Sequence, residues 1–508
     1  MKIVCFLTGL LLLAAGTAAG TAAGREVVKL TITPAWNGHA RAEAMGEIAV
    51  KIDSDAARKT RVVIQSGRQI TEVRFDVDGG VPRTVFVPVP VGADGFVTAT
   101  AFSDDNRIAR SAARLFTPLA GKRFVPMASP QAVDGLPISI NVSGLLFLPG
   151  SIDTWPHTAA GYAAADAVVL YSGELRRMTA DQLNAFGLFA ADCGRILLVV
   201  TDNSQLEAEI AKAAGCAARF VQRVGNIADL PASLDRLLAQ PRPSLPDAAE
   251  LAPLFDEMAG PARFALLIAF VLGYFAVLGL SVFISRNIWL PLLAIVAMTG
   301  LGGVIWYWGV PLTQAVVWGK STEGDRWRRE TVVIHVHGRG KASLRLRPAG
   351  YVLDRSSAAN DLVPVYEIGR DGSWQEEIIV QTFLFSKHEI VFRRVVGQPP
   401  VARLTGSRGK SGLLALGSTL TRGSLLSLDG TLYDVPGLKQ RETWHANGNS
   451  ARQAGTQPER LFVRQTDHRS PALLVFQQGG APSPLFKNVP GKAWHHLELT
   501  PSDERHRN

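Results

Sequence analysis

The cysteines and histidines of this sequence are the residues whose types could support catalysis. A catalytic cysteine in an α/β enzyme needs a sharp strand-to-helix elbow, a histidine as general base and a carboxylate behind that histidine. Cys193 instead precedes the apolar run RILLVV, Cys216 follows a predicted helix, and the surrounding region has a single histidine, His157. The sequence therefore predicts no enzyme of this type, and we expect no catalytic residues, no cofactor and no metal.

Cys193 and Cys216 have a second interpretation, as partners in a disulfide. A helix returns antiparallel to the strand before it, so the start of the strand and the end of the helix lie at one edge of a sheet. The two cysteines flank such a unit. In an exported protein a disulfide is permitted, and closing a loop of about two dozen residues contributes roughly 3 kcal/mol in the chain-entropy model. Two independent buried thiols are the alternative.

Two pairs of histidines are candidate metal ligands. His335 and His337 share one face of a predicted strand, and His495 and His496 are adjacent near the end of the chain. Neither pair has cysteine or carboxylate neighbours at the spacing of a zinc site. We therefore interpret all four as ordinary surface histidines.

The strand ends of a predicted α/β layer offer an alternative site. DAVVLY and RILLVV are short continuous apolar runs, typical of buried parallel strands. Ligands of such sheets bind at the carboxyl ends of the strands. Tyr171, Ser172, Thr201 and Asp202 lie at these ends and form the candidate pocket of a sensor or an enzyme.

Three regions of predicted secondary structure must position these residues. Residues 25–125 read as alternating strands at intervals of roughly ten residues, which predicts an immunoglobulin-like β-sandwich. Residues 136–240 alternate short strands with helices, one of them N-capped by Thr179, which predicts a flavodoxin-like α/β domain. Residues 325–500 alternate apolar with basic residues and predict a further β-rich region with one buried and one wet face.

The segment LPGSIDTWPHTAAGYAAADAVVLYSGELRRMTADQLNAFGLFAADCGRILLVV resembles the class I glutamine-amidotransferase-like domain of certain bacterial inner-membrane proteins. Asp166, Gln182 and Gly194 match that family's pattern, whereas Cys193 stands where the family often has a glycine. The resemblance covers roughly residues 145–310 and includes no catalytic motif. It implies a degenerate periplasmic domain followed by a transmembrane hairpin. Relatives are often encoded near MoxR-type ATPases and von Willebrand A-type proteins, which implies a role in envelope assembly.

Two apolar segments place the chain relative to a membrane. Residues 1–24 have a basic start, a short apolar core and small residues, the pattern of a secretory signal peptide, with a retained anchor as the alternative. After a linker at 241–262, residues 264–284 and 288–308 are each long enough for one bilayer-spanning helix. We expect a transmembrane hairpin with Arg286 at its cytoplasmic turn.

The hairpin predicts an inner-membrane protein with two spans and with N- and C-terminal domains that are both periplasmic.

The net charge of +9 arises in the C-terminal part: residues 1–309 hold 26 basic and 26 acidic side chains, and residues 310–508 hold 27 basic and 18 acidic ones. A basic domain beside the lipid bilayer favours contact with anionic lipid or an acidic partner. The basic residues lack an interleaved aromatic platform, which argues against nucleic acid.

These patterns predict a non-enzymatic inner-membrane protein that displays interaction domains as a scaffold for partner proteins of a cell-envelope complex. The alternative is a ligand-binding sensor, or a hydrolase- or amidotransferase-like enzyme, that uses the α/β domain. A deep polar cleft beside Tyr171 and Thr201 would favour the alternative, and a filled surface would favour the scaffold.

Overall fold

The computed structural model shows a chain dominated by β-strands, which make up 54% of the described structure. The strands of this part of the chain lie in sheets of three, five, nine, seven and three members. The residues described are 28–41, 44–92, 94–114, 122–128, 144–199, 220–225, 229–256, 272–280, 283, 289, 292, 295–297, 312–322, 327–337, 340–345, 351–357, 362–371, 373–382, 387–397, 402–405, 412–416, 422–446, 451–466, 471–477 and 491–499.

The first part of the chain consists of antiparallel strands, as its alternating pattern predicted. Their bounds are β1 (Val28–Pro34), β2 (Met45–Ser54), β3 (Arg58–Ser66), β4 (Gln69–Val77), β5 (Arg83–Pro90), β6 (Phe96–Ser103) and β7 (Asn106–Arg114). The order β1-β2-β5 forms one sheet, and β4-β3-β6-β7 is part of a larger one. Every second side chain of β3 and β4 is buried, which places one face of that sheet in the core.

A five-stranded parallel sheet with order β12-β11-β10-β8-β9 follows. Its strands are β8 (Arg123–Ala128), β9 (Leu145–Gly150), β10 (Val168–Tyr171), β11 (Ile196–Val199) and β12 (Val221–Val224). The helices described beside it are α1 (Ser172–Leu175), α2 (Ala180–Ala191) and α3 (Leu230–Ala239). The parallel pairing predicted for DAVVLY and RILLVV is confirmed, and all four residues of both β10 and β11 are buried.

Helix α2 begins with a complete capping box. The Thr179 hydroxyl accepts from the backbone N–H of Gln182, and the Gln182 amide oxygen accepts from the N–H of Thr179. This arrangement satisfies two backbone donors that a helix start otherwise leaves unpaired. The predicted N-cap at Thr179 is confirmed.

The remaining strands build a nine-stranded sheet, a small three-stranded sheet and part of a seven-stranded one. They are β13 (Leu312–Thr322), β14 (Trp327–His337), β15 (Gly340–Arg345), β16 (Tyr351–Ser357), β17 (Leu362–Ile368), β18 (Trp374–Thr382), β19 (Lys387–Gly397), β20 (Ala402–Thr405), β21 (Gly412–Ala415), β22 (Gly423–Leu426), β23 (Leu432–Val435), β24 (Thr443–His445), β25 (Ala451–Arg452), β26 (Ala472–Gln477) and β27 (Gly491–Glu498). Helices α4 (Ala248–Asp256) and α5 (Gln457–Gln465) share an apolar cluster with β13, β14 and β27.

The seven-stranded sheet, β15-β18-β17-β4-β3-β6-β7, joins strands of the first part of the chain to strands that follow residue 339. Strand β17 pairs in parallel with β4, and an Arg83 guanidinium nitrogen donates to the carbonyl oxygen of Gly369 at 2.6 Å. The sheet therefore crosses from the region predicted as a sandwich into the region predicted as a separate C-terminal β domain.

The nine-stranded sheet packs against β15, β17 and β18 of the seven-stranded sheet. Their common core holds Val332 and Ile334 of β14 together with Leu344 of β15 and Ile378 of β18, none of which is measurably exposed. At about 25 cal/mol per Å² of buried apolar surface, such a layer is the main stabilising contact between the sheets.

The predicted fold class is wrong, and so is the amidotransferase-like assignment that belongs to it. A parallel layer exists, but most of the described structure is β-strand and helices are few. The three residues that carried the resemblance have local structural roles: Asp166 accepts from the N–H of Phe124, Gln182 caps α2, and Gly194 packs against Phe189. Any strand–helix unit can need such residues, so they do not identify a family.

The predicted pair of membrane-spanning helices is also contradicted. Across the described residues, no helix combines the length and apolar character that a bilayer crossing requires. Residues 272–280 are helical. The two-span inner-membrane localisation is therefore wrong. The other positions of 264–284 and 288–308 lie largely outside the described residues, as does Arg286.

Candidate functional site

Four neighbouring strands of the nine-stranded sheet carry polar side chains at one end of the apolar core. Register pairing aligns Gly319 of β13 with Glu330 of β14 and His495 of β27, and Glu330 with Arg394 of β19. Two positions further along the same strands, the side chains on this face are apolar: Val317, Val332, Phe392 and Ala493. We call the following residues the polar row: Ser321, Arg328, Glu330, Arg394 and His495.

The centre of the polar row is a carboxylate held by two arginines. Glu330, 1% exposed, accepts from Nε of Arg328 at 2.6 Å and from Nε of Arg394 at 2.5 Å. Terminal guanidinium nitrogens of both arginines also lie 2.5 Å from the carboxylate. Burial lowers the pKa of Arg394, and the charge of Glu330 opposes that effect. Two positive charges face one negative charge, so the row carries a surplus of one.

Gly319 makes this arrangement sterically feasible. A Cβ atom at position 319 would stand 2.7 Å from Cδ and 3.0 Å from Nε of Arg328. The arginine side chain therefore crosses the sheet where β13 has no side chain, and so it reaches Glu330 on its own strand.

Ser321 and His495 form the second part of the polar row. Oγ of Ser321 lies 2.7 Å from Nε2 of His495, and both residues are buried. Burial lowers the pKa of His495 well below its usual range, and the positive charge of Arg328 lowers it further. The imidazole is therefore neutral at physiological pH.

The polar row has the first two members of a serine-nucleophile triad but lacks the third. A serine–histidine pair acts as nucleophile and base when a carboxylate orients the ring and stabilises the imidazolium that forms. Among the described residues no carboxylate hydrogen-bonds to His495, and Glu330 is engaged by Arg328 and Arg394. A neighbouring arginine also disfavours the imidazolium, so the arrangement is better suited to hold polar or anionic groups than to activate Ser321.

The predicted pocket lies mostly outside the described residues, so it stays a prediction. Tyr171 is buried at the end of β10, its hydroxyl has no hydrogen-bond partner among the described residues, and burial raises its pKa. Ser172 begins α1, and its side chain lies outside the description. Thr201 and Asp202 also lie outside the described residues.

Cys193 is disulfide-bonded. It is fully buried and has a backbone φ of 59°, in the left-handed region where glycine is the usual residue. Its sulfur partner is Cys5 or Cys216, the other cysteines of the chain, and both lie outside the described residues. The predicted pairing with Cys216 remains a prediction.

The histidines interpreted as surface residues occupy more protected positions. His335 lies 3.0 Å from a carboxylate oxygen of Glu389 and stacks on Phe255 at 3.6 Å between ring centroids. His495 and His496 are both buried. The side chain of His337 lies outside the description, and the described residues contain no cluster of three or more side chains able to hold a metal.

Sequence reasoning missed most of the polar row. Glu330 and Arg328 lie in WRRETVVIHVH, where three consecutive charged residues show no alternation that would place them on a buried sheet face. The sequence marks His495 and His496 as candidate metal ligands, and nothing in it indicates a contact between His495 and Ser321. A faint signal was the glycine at 319 in the middle of an apolar strand, since such glycines often mark a close approach of another group.

Comparisons with known proteins give the chain no family. No model of a known protein family matches it, and no curated protein matches it. Among solved structures, a Paenibacillus sp. cycloisomaltooligosaccharide glucanotransferase complexed with cycloisomaltoheptaose aligns with 74% of this chain and 72% of its own, at 7% identity and a TM-score of 0.15. A likeness this weak carries no argument about fold or activity.

Proposed function

We propose that this protein acts as a binding scaffold and not as an enzyme. The observation that carries the proposal is the closed ion cluster in the polar row. Glu330, the carboxylate nearest in register to His495, is held by two arginines at 2.5–2.6 Å and so is unavailable to orient that histidine. Burial and the positive charge of Arg328 disfavour the imidazolium that His495 would form on taking a proton from Ser321, so His495 is a weak general base.

The sheet topology supports a scaffold role. Strands β4 and β17 lie far apart in the sequence yet pair directly, and Arg83 donates to the carbonyl oxygens of Asp76 on β4 and of Gly369 directly after β17. A sheet that draws on both parts of the chain holds the surfaces of those regions in a fixed relation. Rigid presentation of this kind reduces the entropy lost on binding.

The charge of the chain favours partners that are acidic. Lys and Arg number 53 against 44 Asp and Glu, and the excess arises after residue 309. Surfaces with one sign of charge raise the rate of encounter with partners of the opposite sign. We therefore expect the partner of the scaffold to be an acidic protein.

A serine hydrolase is the rival function, because Ser321 and His495 lie at hydrogen-bonding distance. Fluorophosphonate probes label serines that a histidine activates, so they distinguish the two functions. We expect the purified protein to remain unlabelled at probe concentrations that label a control hydrolase fully. Labelling that disappears in Ser321→Ala would overturn the proposal.

Binding itself requires a separate measurement. The tagged protein, crosslinked in the cells that produce it and purified under gentle conditions, should carry partner proteins in fixed stoichiometry. In a parallel purification without crosslinker, a fivefold rise in salt should release an acidic partner, because surface charge attraction is screened beyond about 10 Å at 0.1 M. Recovery of the isolated chain alone would count against scaffolding.

A further inference from the structure

Four arginines from four separate segments converge at the amino edge of the parallel sheet. Arg123 begins β8, and Arg195 directly precedes β11. Arg41 lies before β2, and Arg242 lies in the segment that follows α3. This edge is opposite the carboxyl ends where parallel sheets usually bind ligands. The four arginines are called the arginine cluster below.

Asp166 is the carboxylate that holds part of this cluster. It lies in the turn before β10, where Oδ2 accepts from the N–H of Phe124 at 2.8 Å. Oδ1 accepts from Arg41 at 3.2 Å, and the backbone carbonyl of Asp166 accepts from Arg242 at 3.3 Å. The Asp166 side chain is 16% exposed, whereas that of Arg41 is 54% exposed.

The other two arginines bind backbone oxygens of the end of α3 and the residue after it. Arg195 donates to the carbonyl of Gln240 at 2.7 Å, and Arg123 donates to the carbonyl of Leu238 at 3.3 Å. Nε of Arg195 is buried and has no hydrogen-bond partner in the described part of the chain. Neutral carbonyls position these guanidinium groups but do not cancel their charge.

The cluster therefore has more positive than negative charge. Four arginines face two carboxylates, Asp166 and Asp192, which leaves a surplus of two. The pKa of Arg195 is lowered mainly by burial and also by the positive charge of Arg123. The four arginines repel one another more than widely spaced surface arginines would, so the positive charge at this edge is electrostatically unfavourable in the absence of an anion.

We propose that the arginine cluster is a binding site for a phosphate group. A phosphate group carries about −1.5 to −2 charges at pH 7, which matches the surplus of two. Guanidinium groups present paired N–H donors in a planar fork that fits phosphate oxygens. Arg41 and Arg123 are exposed and lie at the entrance of the proposed site, and the half-buried Arg195 lies at its floor. The inference rests on residues apart from the polar row and does not depend on the scaffold function.

The test is isothermal titration of the full chain with pyrophosphate and with glycerol 3-phosphate at low salt. Three variants are compared with the wild type: Arg41→Gln, Arg123→Gln and Asp166→Asn. Arg107→Gln is the matched control, because Arg107 is an exposed arginine on β7 of the seven-stranded sheet. Circular dichroism and thermal unfolding confirm that each variant is folded.

We expect saturable binding to the wild type and to Arg107→Gln. Each arginine variant of the cluster should weaken binding by about ten- to a hundredfold, since a hydrogen bond to a charged group contributes about 1.5–3 kcal/mol and about 1.4 kcal/mol corresponds to tenfold. Asp166→Asn should tighten binding about threefold or more, because it removes a like charge from the anion's surroundings while its oxygen still accepts from Phe124. A cluster that only stabilises the fold would show no such gain.

The ligand's chemistry follows from the two titrants. Tighter binding of pyrophosphate assigns an oligophosphate, and tighter binding of glycerol 3-phosphate assigns a phosphate monoester. The inference is overturned if neither titrant binds the wild type saturably, or if Arg107→Gln weakens binding as much as Arg41→Gln does.

Discussion

A Cβ atom placed on Gly319 would lie 2.7 Å from Cδ of Arg328, a separation that real side chains do not tolerate. Gly319→Ala should therefore displace the arginine from Glu330 or push strands β13 and β14 apart. Overpacking of this kind costs about 1–3 kcal/mol. The measurement is the free energy of unfolding in urea.

The matched control is Gly187→Ala in the interior of α2. A Cβ at this glycine meets no atom within 4 Å, and alanine is the better helix former by about 1 kcal/mol. The same chemical change should thus stabilise the protein at position 187 and destabilise it at position 319. Equal effects at both positions would show that Arg328 does not depend on Gly319.

Removal of the central carboxylate should cost more than any other single change in the polar row. Glu330→Gln leaves the guanidinium of Arg394, 3% exposed, buried without a counter-charge. Breaking one partner of a buried ion pair costs about 3–5 kcal/mol. Asp76→Asn is the control, because its pair with Arg370 is exposed and should contribute about 1 kcal/mol or less.

A double variant separates the charge effect from lost packing. If the cost of Glu330→Gln comes from an uncompensated charge, adding Arg394→Met should recover part of the lost stability in the same urea titration. Additive losses would indicate that the two residues act independently.

Buried His496 should make stability depend on pH in the acid range. Burial, with the charge of Lys320, lowers its pKa from 6.5 to about 3, and neither ring nitrogen has a hydrogen-bond partner among the described residues. Between pH 6.5 and 3 the unfolded chain binds the additional proton, so the free energy of unfolding falls as the pH falls. The slope contributed by this group is at most about 1.4 kcal/mol per pH unit.

His496→Leu should flatten that slope and raise stability at pH 5 relative to pH 8. Leucine keeps the contact with Phe462, whose ring centroid lies 4.9 Å from that of the histidine. His445→Leu is the control, since His445 is exposed on β24. An unchanged acid slope in His496→Leu would refute this assignment.

The sequence predicted local features well because local chemistry determines them. The capping box at Thr179 and Gln182 depends on residues three positions apart, and the pairing of β10 with β11 follows from two short apolar runs. The pairing of β4 with β17 left no such signal. The contact between Arg83 and Gly369 joins positions 286 residues apart, and strand patterns do not encode which edges meet.

The polar row was not predicted, for a different physical reason. Arg328, Arg329 and Glu330 are three consecutive charged residues, so no alternation with apolar residues shows which of them faces the core. In the structure the seven-stranded sheet covers the apolar part of this face, and Glu330 pairs with Arg328 and Arg394 in place of water, which leaves one positive charge over. A sequence shows that a face is charged, but the partner sheet decides whether that face is wet.

Glu47 should hold the turn before the helical segment at 159–164 to strand β2. Its carboxylate is 4% exposed and accepts from the N–H of His157 at 2.8 Å and of Thr158 at 2.6 Å. Glu47→Gln has one neutral acceptor oxygen where the carboxylate has two charged ones, so one buried N–H loses its acceptor and the other keeps only an uncharged one. The expected cost is about 1–3 kcal/mol.

Hydrogen exchange can localise that effect. Amide protection should fall at residues 157 and 158 and remain unchanged in β17, which lies in another sheet. Lys51→Ala, an exposed change on the same strand as Glu47, should leave both regions unaltered. A uniform loss of protection across the molecule would contradict a local role for Glu47.

Serine variants of the three cysteines should identify the cysteine that is bonded to Cys193. The prediction from sequence is Cys216, which would close a loop of about two dozen residues and contribute roughly 3 kcal/mol. Cys193→Ser and Cys216→Ser should then lower the free energy of unfolding equally, and the double variant should lose no more than either single one. Cys5→Ser should have no effect. If Cys5→Ser matches Cys193→Ser instead, the bond joins the first residues of the chain to the end of α2. The chain then keeps its N-terminal segment, because a cleaved signal peptide could not supply that sulfur.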